Sequence, residues 1–250
     1  MQLSNKIKKF LSNNNFDFVH LESVHSTMLS SKKYIGDKNI CILADEQITG
    51  IGRRGNKWIS PKGNIYISFL IKCDLSIEKH FLFSALTANS ITKFLNNSVA
   101  QNIEIKWPND ININGEKIAG IMTEIFMENN KQYIIIGAGI NILNCPKIKD
   151  YKTCCLKDYN PNLNYVDVLE NFFECYFTEY EMLINKNYDQ IFNYFKSKMS
   201  HLGSKINILL PDGETKRVLI KNLNLNGSLL IEEAGKQKNI FSGRIINDIN

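Results

Sequence analysis

The sequence predicts a fold of mixed α and β content, a main layer of strands and helices with a small barrel packed at its C-terminal end. Three observations carry that expectation. Residues 64–72 alternate Ile65, Ile67, Phe69 and Ile71 against Tyr66, Ser68, Leu70 and Lys72, the period of two that a strand requires. Residues 78–96 place Phe81, Ala85, Ala88, Thr92 and Leu95 at spacings of four and three, one face of a helix. After His201 the texture changes to short apolar runs split by turn residues, as in small barrels.

Taken in chain order, residues 40–44 form a short apolar strand, and 64–72 a strand with both faces largely covered. The helix over 78–96 follows. A strand-like run then ends at Lys106-Trp107-Pro108-Asn109-Asp110, and residues 110–113 and 116–126 flank Asn114-Gly115. Asn-Gly between two strand-like runs is the strongest short hairpin signal. A turn at Asn129-Asn130 leads into a strand over 132–136, and the apolar run ends at Gly137-Ala138-Gly139-Ile140-Asn141. Helices are expected over 165–184 and 188–199, their aromatics (Phe172, Phe173, Tyr176, Phe177, Tyr180, Phe192, Phe195) serving as core. Strands are expected over 206–210, 215–225, 228–233 and 239–242, separated by Pro211-Asp212-Gly213, Asn226-Gly227 and Ala234-Gly235. The chain accordingly divides into a main domain, 1–202, and a barrel, 203–250.

Composition narrows the class. With 44% hydrophobic residues, 22% charged, 14 Gly and 5 Pro in 250 residues, the chain is neither disordered nor fibrous. No apolar run reaches the length of a membrane helix, and the basic N-terminus lacks the apolar core of a signal peptide, so the expected location is the cytoplasm. Thirty basic against 25 acidic residues leave a net charge of +5, too diffuse for a nucleic-acid surface. The cysteines at 41, 73, 145, 154, 155 and 175 form no C-x-x-C, and His20, His25, His80 and His201 are scattered, so spacing predicts no zinc site and no disulfide framework.

Five segments carry chemistry. Gly50-Ile51-Gly52-Arg53-Arg54-Gly55, followed by Lys57-Trp58, joins three glycines to two of the chain's four arginines. Mobile backbone with guanidinium forks suits an anionic ligand, phosphate above all; the alternative is an exposed turn. It lacks the G-K-S/T of a phosphate-binding Walker loop. Lys106-Trp107-Pro108-Asn109-Asp110 supplies a carbonyl and a carboxylate suited to Mg²⁺ or an amine, or is a plain strand-to-turn junction. Lys117-Ile118-Ala119-Gly120-Ile121 sets a point charge beside small residues, or is a surface hairpin. Gly137 and Gly139 would let a flat ligand lie on the sheet, or merely bend the strand. Ser26-Thr27 could bond a ligand or cap a helix.

In this order and spacing the set, extended by Gln47 and with Lys117 seven residues beyond Asp110, closely resembles the biotin protein ligases from about residue 20 to the C-terminus. The resemblance implies an α+β fold: a class II aminoacyl-tRNA synthetase-like mixed, largely antiparallel sheet with helices, plus an SH3-like β-barrel. It implies that biotin and ATP, with Mg²⁺, give biotinyl-5′-adenylate and pyrophosphate, and that the biotinyl group passes to a lysine of a biotin carboxyl carrier protein. By resemblance Ser26, Thr27, Gln47, Gly50, Ile51, Lys117, Gly137 and Gly139 contact biotin. Arg53, Arg54, Lys57, Trp58, Lys106, Asn109, Lys117 and Asn141 contact ATP or the adenylate. The resemblance further implies that Lys117, Arg53 and Asp110 are catalytic and that Asp110 is the Mg²⁺ ligand. The ligase-only type is expected, without an N-terminal DNA-binding domain, a nucleic-acid partner or a membrane, as a monomer or homodimer.

The chain departs from the family pattern at Ile51, where an arginine is usual, at Asn56 in place of a basic residue, at Met28 in place of the Asn after Ser-Thr, and at Arg244 in place of Glu. A lipoate ligase shares the fold and adenylation chemistry but lacks this motif arrangement. A non-catalytic binding module would not need Lys117, Asp110 and Arg53 together.

Overall fold

The computed structural model describes residues 3–149 and 151–246. Helix α1 (Asn5–Asn13) starts at Ser4, whose hydroxyl accepts from the Ile7 N–H, and buries Ile7 and Leu11 one turn apart. Strand β1 (Phe16–Val24), the short helix α2 (Thr27–Ser31), β2 (Asn39–Gln47) and β3 (Ile65–Lys72) follow. Next come α3 (Phe81–Ser98), β4 (Ile103–Lys106), β5 (Asp110–Ile113), β6 (Glu116–Glu128), β7 (Lys131–Ile140), α4 (Tyr165–Ile184) and α5 (Tyr188–Lys198). The seven strands form one sheet in the order β1-β2-β3-β7-β6-β5-β4. Only β1 and β2 run parallel; every other neighbouring pair is antiparallel.

Period-two alternation explains why this sheet is covered on both faces. Cys41, Leu43, Ile67, Phe69, Ile134 and Ile136 pack with α3 and α4 in the main core. The residues between them (Ile40, Ile42, Leu70, Ile135) meet Met28 of α2 on the opposite face. Phe172, Phe173, Tyr176, Phe177 and Phe195 are fully buried, as expected, and Tyr176 stacks on Phe69 with ring centroids 3.7 Å apart. Each such ring contributes about 1.5–3 kcal/mol by leaving water. Helix α3 is buried on nearly every side. Its Thr87, Ser90 and Thr92 satisfy their hydroxyls on the carbonyls of Phe83, Leu86 and Ala88, so a polar stripe crosses the core without cost in unpaired groups. It begins at Phe81 rather than 78 because residues Ile77–Lys79 wind as a 3₁₀ turn.

The hairpin signals hold where Asn and Gly accept positive φ: Asn114 and Gly115 have φ 50° and 82°, and they join β5 to β6. Beyond His201 five strands, β8 (Lys205–Leu209), β9 (Thr215–Leu223), β10 (Leu229–Glu233), β11 (Lys236–Ile240) and β12 (Arg244–Ile246), form a second antiparallel sheet in the order β11-β10-β9-β8-β12. Its Ile208, Ile220, Leu223 and Ile231 belong to the same apolar cluster as the main sheet. Across the junction the Trp107 indole N–H donates to the Gly227 carbonyl at 2.9 Å. No described helix is long and apolar enough to cross a membrane.

Candidate active site

The site lies along β7 and the loop that follows β2. Gly137 and Gly139 sit two residues apart on one strand, hence on one face and about 7 Å apart. A Cβ on Gly137 would strike the Met28 thioether at 2.6 Å, and one on Gly139 would overlap the Trp58 indole. Gly120, opposite Gly139 on β6, is closed by the same indole, 2.9 Å from where its Cβ would stand. The glycines therefore make a flat floor, and Met28 and Trp58 lie on it.

At the Met28 end, polar side chains form a directed relay. Ser68 donates to the Thr27 hydroxyl at 2.7 Å, and Thr27 donates to Gln47 Oε1 at 3.2 Å. Gln47 Oε1 also accepts the Thr27 N–H at 2.9 Å, while its Nε2 donates to Ser60, which donates to the Trp58 carbonyl. This orients the Gln47 amide. Ser26 is buried and occupies the N-cap position of α2, yet its hydroxyl makes no capping bond. Ser60 and Ser68 escape sequence reading because serine carries no motif there; their roles depend on sheet register.

At the Trp58 end, charges gather. Lys117 Nζ pairs with Asp110 Oδ1 at 2.8 Å and lies between the Trp58 and Tyr151 rings, 5.2 and 5.1 Å from their centroids. Hairpin β5–β6 brings the pair together by aligning Asp110 with Gly120. Arg53 donates to Asn109 Oδ1 at 3.1 Å, and Asn109 donates to the Ile121 carbonyl. The glycine-rich loop is pinned at its base, where Gly52 N–H bonds the Asn56 carbonyl at 2.7 Å and Trp58 N–H bonds Gly50. Gly50 has no room for a side chain, since a Cβ would stand 2.6 Å from Ser60 Oγ. Arg54, in the left-handed region at φ 57°, points the other way and donates at 2.6 Å to Ser242, which lies between β11 and β12. Ile51 bridges Lys57 through its backbone, so its lack of charge leaves the loop geometry intact. Lys57 and Asn56 are exposed.

Burial pulls the Arg53 guanidinium below its ordinary value, Arg54 acting in the same sense and Asp110 against it. Lys106 is likewise lowered, first by burial; Asp110 opposes the shift, and Arg244 and Lys117 add to it. Arg244 thus contributes positive potential from the C-terminal sheet. Asn141 is buried and donates to the Cys154 carbonyl at 3.0 Å. Its Oδ1 and the Trp58 Nε1 have no hydrogen-bond partner among the described residues. Both side a cavity of about 20 Å³ shared with Lys117, Tyr151 and Thr153. An orphaned donor and acceptor beside a cation suit a polar ligand. Tyr151 and Thr153 went unread in the sequence, because the segment around them shows no periodicity and meets Lys117 through a non-local bridge at Thr153 and the Tyr151 ring.

The structure therefore gathers Thr27, Gln47, Gly50, Trp58, Lys117, Gly137, Gly139 and Asn141 along one floor. It sets Arg53, Lys106, Asn109 and Asp110 beside it, and turns Arg54 toward Ser242.

The sequence model of the biotin/lipoate A/B protein ligase family matches residues 21–141. The bifunctional ligase/repressor BirA of Bacillus subtilis is 26% identical over 211 residues, covering 82% of this chain and 65% of the relative. The biotin–[acetyl-CoA-carboxylase] ligase of Paracoccus denitrificans is 32% identical over 108 residues, 42% of this chain and 45% of that one. The chain thus spans just under two thirds of the Bacillus relative. The Aquifex aeolicus biotin protein ligase, solved in complex with biotin and ATP, superposes with a TM-score of 0.77 at 24% identity over 92% of this chain and 97% of that chain, a likeness of fold. Over residues 21–141 the chain matches the biotin/lipoate A/B protein ligase family, and its motifs, register and fold agree with that match.

Proposed function

We propose that the chain is a biotin protein ligase, activating biotin with Mg-ATP and passing it to one lysine of a biotin carboxyl carrier protein. The observation that carries this reading is a glycine-floored slot with an oriented amide relay at one end and the Lys117–Asp110 pair beside Arg53 at the other. A ureido ring needs fixed donors and acceptors, which Thr27, Gln47 and Ser26 supply. The valeryl tail then runs over Gly137 and Gly139 to Lys117.

In the first step a carboxylate oxygen of biotin attacks the α-phosphorus of ATP and pyrophosphate leaves. Two anions meet there, and Lys117, Arg53 and Lys106 offset their repulsion. Mg²⁺, carried by the phosphates, supplies further charge neutralisation; it takes few protein ligands, and the Asp110 carboxylate fits as one. In the second step the carrier lysine's amine attacks the acyl carbonyl of the mixed anhydride. The carbon–oxygen bond to AMP breaks, and the ammonium proton passes to solvent. Asp110 orients the amine. The cavity beside Lys117 holds about one water, so biotin enters as the Trp58 loop moves and is sealed from water as it returns. The chain from residue 203 on acts as an appendage whose Ser242 and Arg244 steady that loop.

The test is intact mass of a carrier domain after incubation with the purified protein, Mg-ATP and either biotin or lipoate. Mass gain of one biotinyl group is expected with biotin alone. Gain with lipoate alone identifies a lipoate ligase, and no gain with either identifies a binding module.

A further inference from the structure

Folding brings together three donors from one short segment of the chain, the outer two 13 positions apart. The thiols of Cys145 and Cys155 and the Asp158 carboxylate lie within 4.8 Å of one another. We propose that Cys145, Cys155 and Asp158 bind a thiophilic divalent cation, Zn²⁺ being the fitting ion, which fastens the segment between the two cysteines against Lys117.

The geometry suits a tetrahedral centre. Bonds of about 2.3 Å to sulfur and 2.0–2.2 Å to oxygen set ligand–ligand edges near 3.5–3.8 Å. Cys145 Sγ already stands 4.0 Å from Asp158 Oδ2, so closure needs shifts on the order of an ångström. The carboxylate is held in place by the Cys155 N–H at 2.9 Å, the kind of outer contact that aims a ligand. Burial and the facing Asp158 push the Cys155 thiol up to about 12. A cation among the donors reverses that penalty by favouring thiolate. Cys155 is buried and Cys145 half-buried, while Asp158 is exposed, so the fourth position opens to water.

The consequence for the neighbouring site follows from the backbone. Lys117 N–H bonds the Lys152 carbonyl and Cys154 N–H bonds the Lys117 carbonyl, both at 3.0 Å. Tyr151 and Thr153, on the same segment, line the Lys117 cavity. Joining Cys145 to Cys155 through one ion closes both ends of this strap and lowers its freedom to open.

The full-length reduced protein, stripped of metal, should take up one equivalent of Co²⁺, with a thiolate-to-cobalt charge-transfer band and visible d–d bands of tetrahedral intensity. Zn²⁺ should displace it. Cys145→Ser, at a half-buried position, should weaken Co²⁺ by more than about a hundredfold, beyond the loss that follows removal of an outer-sphere partner. Asp158→Asn should weaken it less while keeping an acceptor for the Cys155 N–H. Thermal unfolding of each variant without metal separates ligation from folding. No charge-transfer band, or one that survives Cys145→Ser, overturns the site. So does isolation of the protein two hydrogen masses light under non-reducing conditions, which would make the pair a disulfide. None of these readings depends on ligase activity.

Discussion

At the scale of single residues, Lys117 concentrates the chemistry. Its ammonium is pinned between two rings and one carboxylate; under the proposed function a substrate carboxylate would exchange for Asp110 rather than order a free chain. Lys117→Ala should lower the rate of biotin-dependent pyrophosphate release by about 10²–10³, the effect of removing one preorganised charge donor, with the folded far-ultraviolet spectrum kept. Release at the parent rate would return Lys117 to the status of a surface lysine. Lys106 gives a pH signature. Burial lowers its pKa, so its charge is lost at lower pH than from a free lysine. The KM for ATP should therefore begin to climb at a pH below the ordinary lysine range. Lys106→Arg, which stays charged, should flatten that climb, and superimposable profiles would show that Lys106 does not meet the phosphates.

At the scale of elements, the turn after β7 depends on one side chain from the start of β3. Asn64 is wholly buried, and its Oδ1 accepts the N–H groups of Ile142, Leu143 and Asn144 at 2.8–3.0 Å. Its Nδ2 donates to the Asn144 carbonyl. Asn64→Ala strips this acceptor from the Ile142 and Asn144 N–H groups and leaves the Leu143 N–H the Gly63 carbonyl at 3.3 Å. The expected cost is about 2–4 kcal/mol, read as a fall in Tm of roughly 5–15 °C. A shift under about 2 °C would mean that water replaces the amide fully. Nothing in the sequence around Asn64 points to this, because its partners lie 78 to 80 residues away.

At the scale of the whole molecule, the two sheets share a core. The Trp107 indole, 2% exposed, donates to Gly227, and Gly227 has no room for a Cβ against Phe81. Trp107→Phe loses the bond and part of the packing, so chemical denaturation should show one transition, less stable by about 1–3 kcal/mol. Two separated transitions would show that the C-terminal sheet folds alone. Arg54 and Ser242, 188 residues apart, add a second tie at the mouth of the site.

The elements and the family motifs were legible in the chain because both are local. Period-two and period-3.6 patterns record which face of a strand or helix is buried, as in 64–72 and 78–96. Asn114-Gly115 records a turn that needs positive φ. The segment from Lys106 to Asp110 turns from β4 into β5, and Lys117 to Ile121 lie on β6, hairpin partner of β5, so spacing alone kept them together. The sequence did not show that α1 and β1 precede the first predicted strand, since the apolar residues of β1 (Phe16, Phe18, Val19, Leu21, Val24) keep no strict alternation. Nor did it show which serines complete the Gln47 relay, or that Cys145 approaches Cys155 and Asp158. Those juxtapositions depend on sheet register and on segments that cross between elements, and a hydrogen bond made across tens of residues leaves no periodic trace in either partner.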